Sequence, residues 1–338
     1  MGSTTISCNP PPLIDPTRAT IAFGDRALPR LNRELNSDVL LTRQQALKAL
    51  SSILHDPEYI AGSLKNGIVH SLKTLLVDED VTVRQLSVEC LFIIASYAIG
   101  RTALIELNMI NSVAELFDDP DVGVRLKAHK TIEMVAESPF GAQAVLDDKL
   151  VKILVEKLAQ EETEIVLYIL DTLHFCMMVD TVDALSAGAM LTFRNLLNHP
   201  NVSICAKAAI CVLDLSVPLA GKEKAVEDDV VEPLTKLLLH ESDKVRAKAA
   251  GALTMIAITT PGKFKALHAL DILVNLTKDK SSEVRTNALK ALTCLSEAPS
   301  GRKILLKHVE EIQAITSDPI PAVAKAASIA LGVICWKP

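Results

Sequence analysis

Apolar and polar positions along this chain keep a helical beat, and the beat itself recurs. In Asp121-Val122-Gly123-Val124-Arg125-Leu126-Lys127-Ala128, an acid, branched aliphatics, an arginine and a small residue follow in a fixed order. Related segments are Asp80-Val81-Thr82-Val83-Arg84, Lys244-Val245-Arg246-Ala247-Lys248-Ala249 and Glu283-Val284-Arg285-Thr286-Asn287-Ala288. With weaker copies included, the anchors are Arg43, Arg84, Arg125, Val166, Cys205, Arg246, Arg285 and Ala324. Arg43, Arg84 and Arg125 stand 41 residues apart, and Arg246 and Arg285 stand 39 apart. Three residues after each anchor the chain is mostly small: Ala46, Ser87, Ala128, Ile169, Ala208, Ala249, Ala288 and Ala327. Seven after, it is aliphatic: Leu50, Leu91, Ile132, Leu173, Val212, Leu253, Leu292 and Leu331. Offsets of three and seven share one helix face. The small residue lets a neighbouring helix approach, and the larger one fills the core.

Sixteen residues after the anchor comes Gly100, Gly141, Gly221, Gly262 or Gly301, with Tyr59 and Val182 at that place in the first and fourth copies. Pro139, Pro218, Pro261 and Pro299 lie just before these glycines. The pairing predicts a sharp turn, with proline ending one helix and glycine supplying unusual backbone angles. A second amphipathic stretch then ends in a bulky pair, as in Leu75-Leu76, Leu116-Phe117, Leu196-Leu197 and Leu237-Leu238. Asp80, Asp121, Ser242 and Ser282 are the expected N-caps of the helix that follows. Each unit therefore predicts a short helix after the glycine, a middle helix and a long third helix near the arginine.

Composition agrees with stacked helices. Hydrophobic residues make up 49% of the 338 and aromatics 3%, which describes a layered aliphatic core. The longest apolar run, around Leu91 to Ile99, falls short of the roughly 18 residues a membrane span requires. The formal net charge of -6, without a clustered basic run, argues against nucleic acid. Seven dispersed cysteines (Cys8, Cys90, Cys176, Cys205, Cys211, Cys294, Cys335) form no C-x-x-C pair and read as free thiols of a reducing compartment. No secretory signal is legible at the N-terminus, so cytoplasm is the expected location and Asn201 and Asn275 are unused sequons. The chemistry of an enzyme is missing. Gly221-Lys222 and Gly262-Lys263 lack the rest of a phosphate loop, His174 and Cys176 point to different sides of a helix, and no nucleophile signature occurs. Glu161, Glu162 and Glu164 read as a solvated loop. The arginine column reads as structural, each fork of donors bonding a neighbouring loop. No cofactor, metal, small-molecule substrate or catalytic residue is expected.

A period of about 40 residues with this pattern resembles the armadillo/HEAT repeats. The fold class that follows is all-α, a right-handed superhelical solenoid of about eight three-helix repeats over residues 21–338. Residues 1–20, with Pro10-Pro11-Pro12 and Pro16, are expected to form an extended arm or a loose tail. The resemblance implies that the third helices line a concave groove and that offsets +5 and +9 face a ligand. At +5 stand Lys48, Glu89, Lys130, Asp171, Ile210, Gly251, Lys290 and Ile329. At +9 stand Ser52, Ile93, Met134, Phe175, Asp214, Met255, Cys294 and Val333. The Trp/Asn ladder with which importin-alpha-like members hold basic peptides is absent. Met134, Phe175, Ile210 and Met255 are expected either to tuck between adjacent third helices or to form an apolar strip that receives an amphipathic helix or apolar segment. Trp336 is expected to cap the last core layer or to anchor a partner.

Several segments are more particular than the beat. Arg26-Ala27-Leu28-Pro29-Arg30-Leu31-Asn32, Leu40-Leu41-Thr42-Arg43-Gln44-Gln45-Ala46-Leu47 and His55-Asp56-Pro57-Glu58-Tyr59 stand near one end. Glu297-Ala298-Pro299-Ser300-Gly301-Arg302-Lys303 and Trp336-Lys337-Pro338 stand near the other. Together they resemble the armadillo-repeat proteins of the radial spoke head, over the whole chain. That resemblance implies a scaffold in the axoneme of motile cilia and sperm flagella, with other radial spoke proteins as partners and a part in regulating dynein-driven bending. The alternative is a soluble adaptor or transport receptor that binds peptide segments in its groove.

Overall fold

The computed structural model describes residues 27–336, and every element among them is helical. The proposed N-terminal arm and residues 21–26 lie outside the described residues. Eight long helices recur: Leu40–Ile53, Val81–Ala95, Val122–Ala136, Thr163–Val179, Val202–Leu215, Asp243–Ile256, Ser282–Ser296 and Pro321–Ile334. Each packs on the next, so the row of long helices is the spine of a solenoid. Two shorter helices precede each long one from the second repeat onward, as Pro57–Lys65 and Ile68–Leu75 precede Val81–Ala95. In the first repeat a single helix, Ala27–Leu35, is described before the long one. The small +3 side chains and the aliphatic +7 side chains are buried in every repeat but the last, where Leu331 is half-buried.

The glycines do a different job from the one their neighbours suggest. Gly100, Gly141, Gly221, Gly262 and Gly301 are each the third residue of a first helix and none has a positive φ. A Cβ at Gly100, Gly141, Gly221, Gly262 or Gly301 would overlap the carbonyl oxygen of Ile94, Val135, Leu215, Ile256 or Leu295 respectively, near the end of the preceding long helix. Glycine is required there by close approach of one helix to another. The prolines likewise start helices: Pro139 and Pro299 occupy the first helical position, where a missing N–H costs nothing. The left-handed turns lie further on, between first and second helices, at Gly67 (φ 70°), Asn108 (52°), Lys149 (59°), Gly188 (73°) and Asp229 (51°).

In the last two repeats that break is gone. A 3-10 turn, Leu267–Ala269 or Leu306–His308, joins the first helix directly to the second. The solenoid thus grades from three-helix units toward two-helix ones.

Of the expected caps, Asp80 and Asp121 accept hydrogen bonds from Val83 and Val124 N–H at 2.9 Å. Ser242 stands at its N-cap without a side-chain bond, and Ser282 lies inside its helix behind the N-cap Ser281. Asp279 accepts the Ser281 N–H instead, at 2.9 Å. Trp336 does not close the last layer: it is 57% exposed, with the Arg302 guanidinium 5.4 Å from its ring centroid.

Candidate protein-docking face

Two columns of polar side chains run along the stack and fix which surfaces remain free. The first is the arginine column. Arg84 donates from Nη1 to the Asp78 carbonyl (2.8 Å), closing the loop before its own helix, and from Nε and Nη2 to the Asp119 carboxylate of the next loop (2.7 and 3.1 Å). Asp119 in turn accepts the Asp121 N–H at 2.8 Å, and its carbonyl takes Nη1 of Arg125 at 2.9 Å. Arg125 goes on to Glu161 at 3.0 Å. The same fork joins Arg246 to Asp279 (2.9 Å) and Arg285 to Asp318 (2.9 and 3.0 Å). Arg43 starts the column at 3.0 Å from Asp78, with Nε outside hydrogen-bond geometry. Glu161 is therefore not a solvated loop residue; its side chain is 3% exposed and belongs to the ladder.

The column stops where the anchor is not arginine. Val166 and Cys205 have no charge to offer, and at the places in the next loops that an arginine there would clamp stand His199 and His240 instead of an acid. Nδ1 of each histidine accepts the N–H two residues on, from Asn201 and Ser242, at 3.0 Å. That is the loop-closing bond the aspartates make elsewhere, made without a negative charge. A buried carboxylate with no guanidinium opposite would be strongly unfavourable, which accounts for the exchange.

The second column crosses between long helices at the +2, +5, +8 and +9 offsets. Glu89 pairs with Lys127 at 3.1 Å, Asp171 with Lys207, and His174 Nδ1 with Asp214 at 2.5 Å. Lys130 sits 4.2 Å above the ring of Phe92. Met134 and Phe175 are half-buried and pack against the core, whereas Ile210 and Met255 are half-buried beside it. The expected apolar strip is thus partly drawn into the helix packing. Glu133, with no ion pair among the described residues, is pushed up to about 7 by burial and by the neighbouring charges of Asp171 and Glu137, against the pull of Lys207 and Lys130. Lys48 is exposed at the first repeat.

From the sixth long helix onward the face changes. Thr254, Thr286, Lys290, Thr293, Cys294, Ala322, Lys325, Ala326 and Ile329 line an open trough of about 480 Å3. Of these, Lys290 and Ile329 stand at +5 and Cys294 at +9. Lys325 lies one residue after the anchor Ala324, at an offset the +5/+9 rule leaves out. A second hollow of about 470 Å3 lies at the C-terminal ends of the fourth and fifth long helices, against exposed Met178, Val179 and Val217. Among the described residues no cluster of His, Cys, Asp or Glu is arranged to hold a metal ion, and no single helix is long and apolar enough to cross a membrane. Cys90, Cys176, Cys205, Cys211, Cys294 and Cys335 are free thiols.

A family model for HEAT repeats matches residues 231–311. That stretch includes the seventh repeat, whose first two helices are joined by a 3-10 turn, so the match falls where the units are most nearly two-helix. The crystal structure of an engineered protein superposes with TM-score 0.84 and 23% identity, covering 92% of this chain and 79% of that one. Another engineered protein gives TM-score 0.47 at 22% identity, covering 79% and 96%. Residues 231–311 thus match HEAT repeats, and the fold of the chain is an all-helical, HEAT/armadillo-like solenoid.

Proposed function

We propose that this solenoid is a protein-binding scaffold that works in the radial spoke of motile cilia and flagella, where it joins other spoke proteins and supports the regulation of dynein-driven bending. The observation that carries the scaffold part is the uninterrupted stack of eight long helices, which presents one extended surface along the chain. The spoke setting is supported by the resemblance of the segments at 26–32, 40–47, 55–59, 297–303 and 336–338. A scaffold of this kind uses several surfaces at once, including the exposed apolar side chains Phe140, Met178 and Leu219 at helix ends. Cross-linking mass spectrometry on isolated axonemes tests it. Cross-links from several repeats to spoke subunits are expected, together with resistance to salt extraction. Recovery of the protein only in the soluble fraction would overturn the spoke assignment.

The trough at the last three long helices favours one other reading, a soluble adaptor that engages a peptide segment reversibly. Such an adaptor would be extracted by salt as a monomer and would cross-link through the long-helix face alone.

A further inference from the structure

We propose that the trough formed by the last three long helices docks a partner peptide segment that offers aliphatic side chains flanked by carboxylates. The inference rests on the protein-scaffold reading and names the chemistry of one partner.

The walls are less polar than their sequence. Each threonine hydroxyl is committed to its own helix: Thr254 to Ala250 O, Thr286 to Ser282 O and Thr293 to Leu289 O, all at 2.8 Å. What the threonines can present to an occupant is therefore their methyl groups. Ala322 and Ala326 are too small to fill the space between helices, and Ile329, 51% exposed, stands at its edge. A trough of about 480 Å3 takes a few aliphatic side chains of a bound segment.

Charge then selects the occupant. From the third to the sixth long helix the lysines of this face are engaged: Lys127 by Glu89, Lys207 by Asp171, Lys248 by Glu283 at 2.6 Å, and Lys130 by the Phe92 ring, whereas Lys48 on the first is exposed and lies far from the trough. Lys290 and Lys325 line the trough, are exposed, and make no ion pair among the described residues. Two ammonium groups beside an apolar hollow match carboxylates flanking an apolar side chain and repel a basic segment. In the middle of the face, by contrast, the lysines are already held by partners within the protein.

The test is selection of displayed amphipathic peptides of about 16 residues on the full chain. The library holds acidic, neutral and basic members in equal parts. Acidic members are expected to be enriched, and the Lys290→Glu/Lys325→Glu double variant is expected to bind them at least tenfold more weakly and to enrich basic ones. Ala322→Trp, which fills the trough without changing its charge, should weaken the same peptides; circular dichroism checks that each variant folds. Enrichment of basic or neutral peptides on the wild type, equal binding by the double variant, or no enrichment at all overturns the proposal. If selected peptides are instead lost on Phe175→Glu alone, the scaffold reading stands and the trough proposal falls. Failure of the scaffold reading itself is read separately, from axonemal cross-links.

Discussion

The third and fourth repeats are neighbours built to different rules. The third has an arginine anchor, Arg125, a 15-residue long helix and Gly141 at the start of the helix that follows. The fourth has Val166 and Val182 at those places; its long helix runs to 17 residues and the next first helix shrinks to 5. The long helix continues by half a turn and the chain leaves it through extended Asp180 (φ -149°), whereas Tyr59, at the same place in the first repeat, follows a 14-residue long helix. Without arginine, the loop beyond holds His199 where an acid would stand. Helix length, loop chemistry and the charge of the seam thus change together between the two repeats. Neighbour-to-neighbour coupling in a solenoid makes such local rules visible one interface at a time.

The strongest way to break the comparison is Gly141→Val. Its side chain would collide with the Val135 carbonyl, and a loss of about 4 kcal/mol or more in urea unfolding is expected. Gly188→Ala, at φ 73° with nothing within 4 Å, should cost only about 1 kcal/mol. Arg84→Ala comes next, at about 3 kcal/mol, because it strands the buried Asp119 carboxylate; amide exchange should quicken first in the loop at Asp119–Asp121.

The acid limb of stability should single out the third repeat as well. His129 is buried, stacks on Phe117 at 3.8 Å, and is lowered from 6.5 to about 3 by burial and by Lys157 and Arg125. A lowered folded pKa means that its contribution is present above pH 6.5 and is lost as pH falls toward 3. His129→Leu, which copies Leu170 of the fourth repeat, should flatten that limb in pH-dependent unfolding. Glu133 runs the other way. Raised from 4.5 to about 7, it favours the fold below pH 4.5 and ceases to as pH rises through 7. Glu133→Gln should therefore be more stable than wild type at pH 8 and equal to it at pH 4. The smallest effect is the repair: Val166→Arg with His199→Asp should add at most about 1 kcal/mol, since a buried ion pair roughly balances its own desolvation. A double-mutant cycle reads it.

Much of this was legible from spacing. The arginine beat, the small and large core positions and the Asp80 and Asp121 caps all carry residue types that only one environment suits. The glycines were not, because close helix approach and a left-handed turn demand the same residue. The true turns escaped because Gly67, Asn108, Lys149, Gly188 and Asp229 share a backbone angle and no side-chain type. The exchange of acid for His199 and His240 was present in the sequence, but it acquires meaning only with the partner of each arginine known. The trough escaped because its threonines look polar until their hydroxyl bonds are traced.

The gap in the arginine ladder has a mechanical consequence. Between the fourth and fifth long helices, Lys207–Asp171 and His174–Asp214 tie one side of the seam, while the ladder side has no charged rung. A rod fastened along one edge and plain along the other does not stretch evenly under load. Tension on this protein is therefore expected to open this seam first on its ladder side, hinging about the edge that the two ion pairs hold.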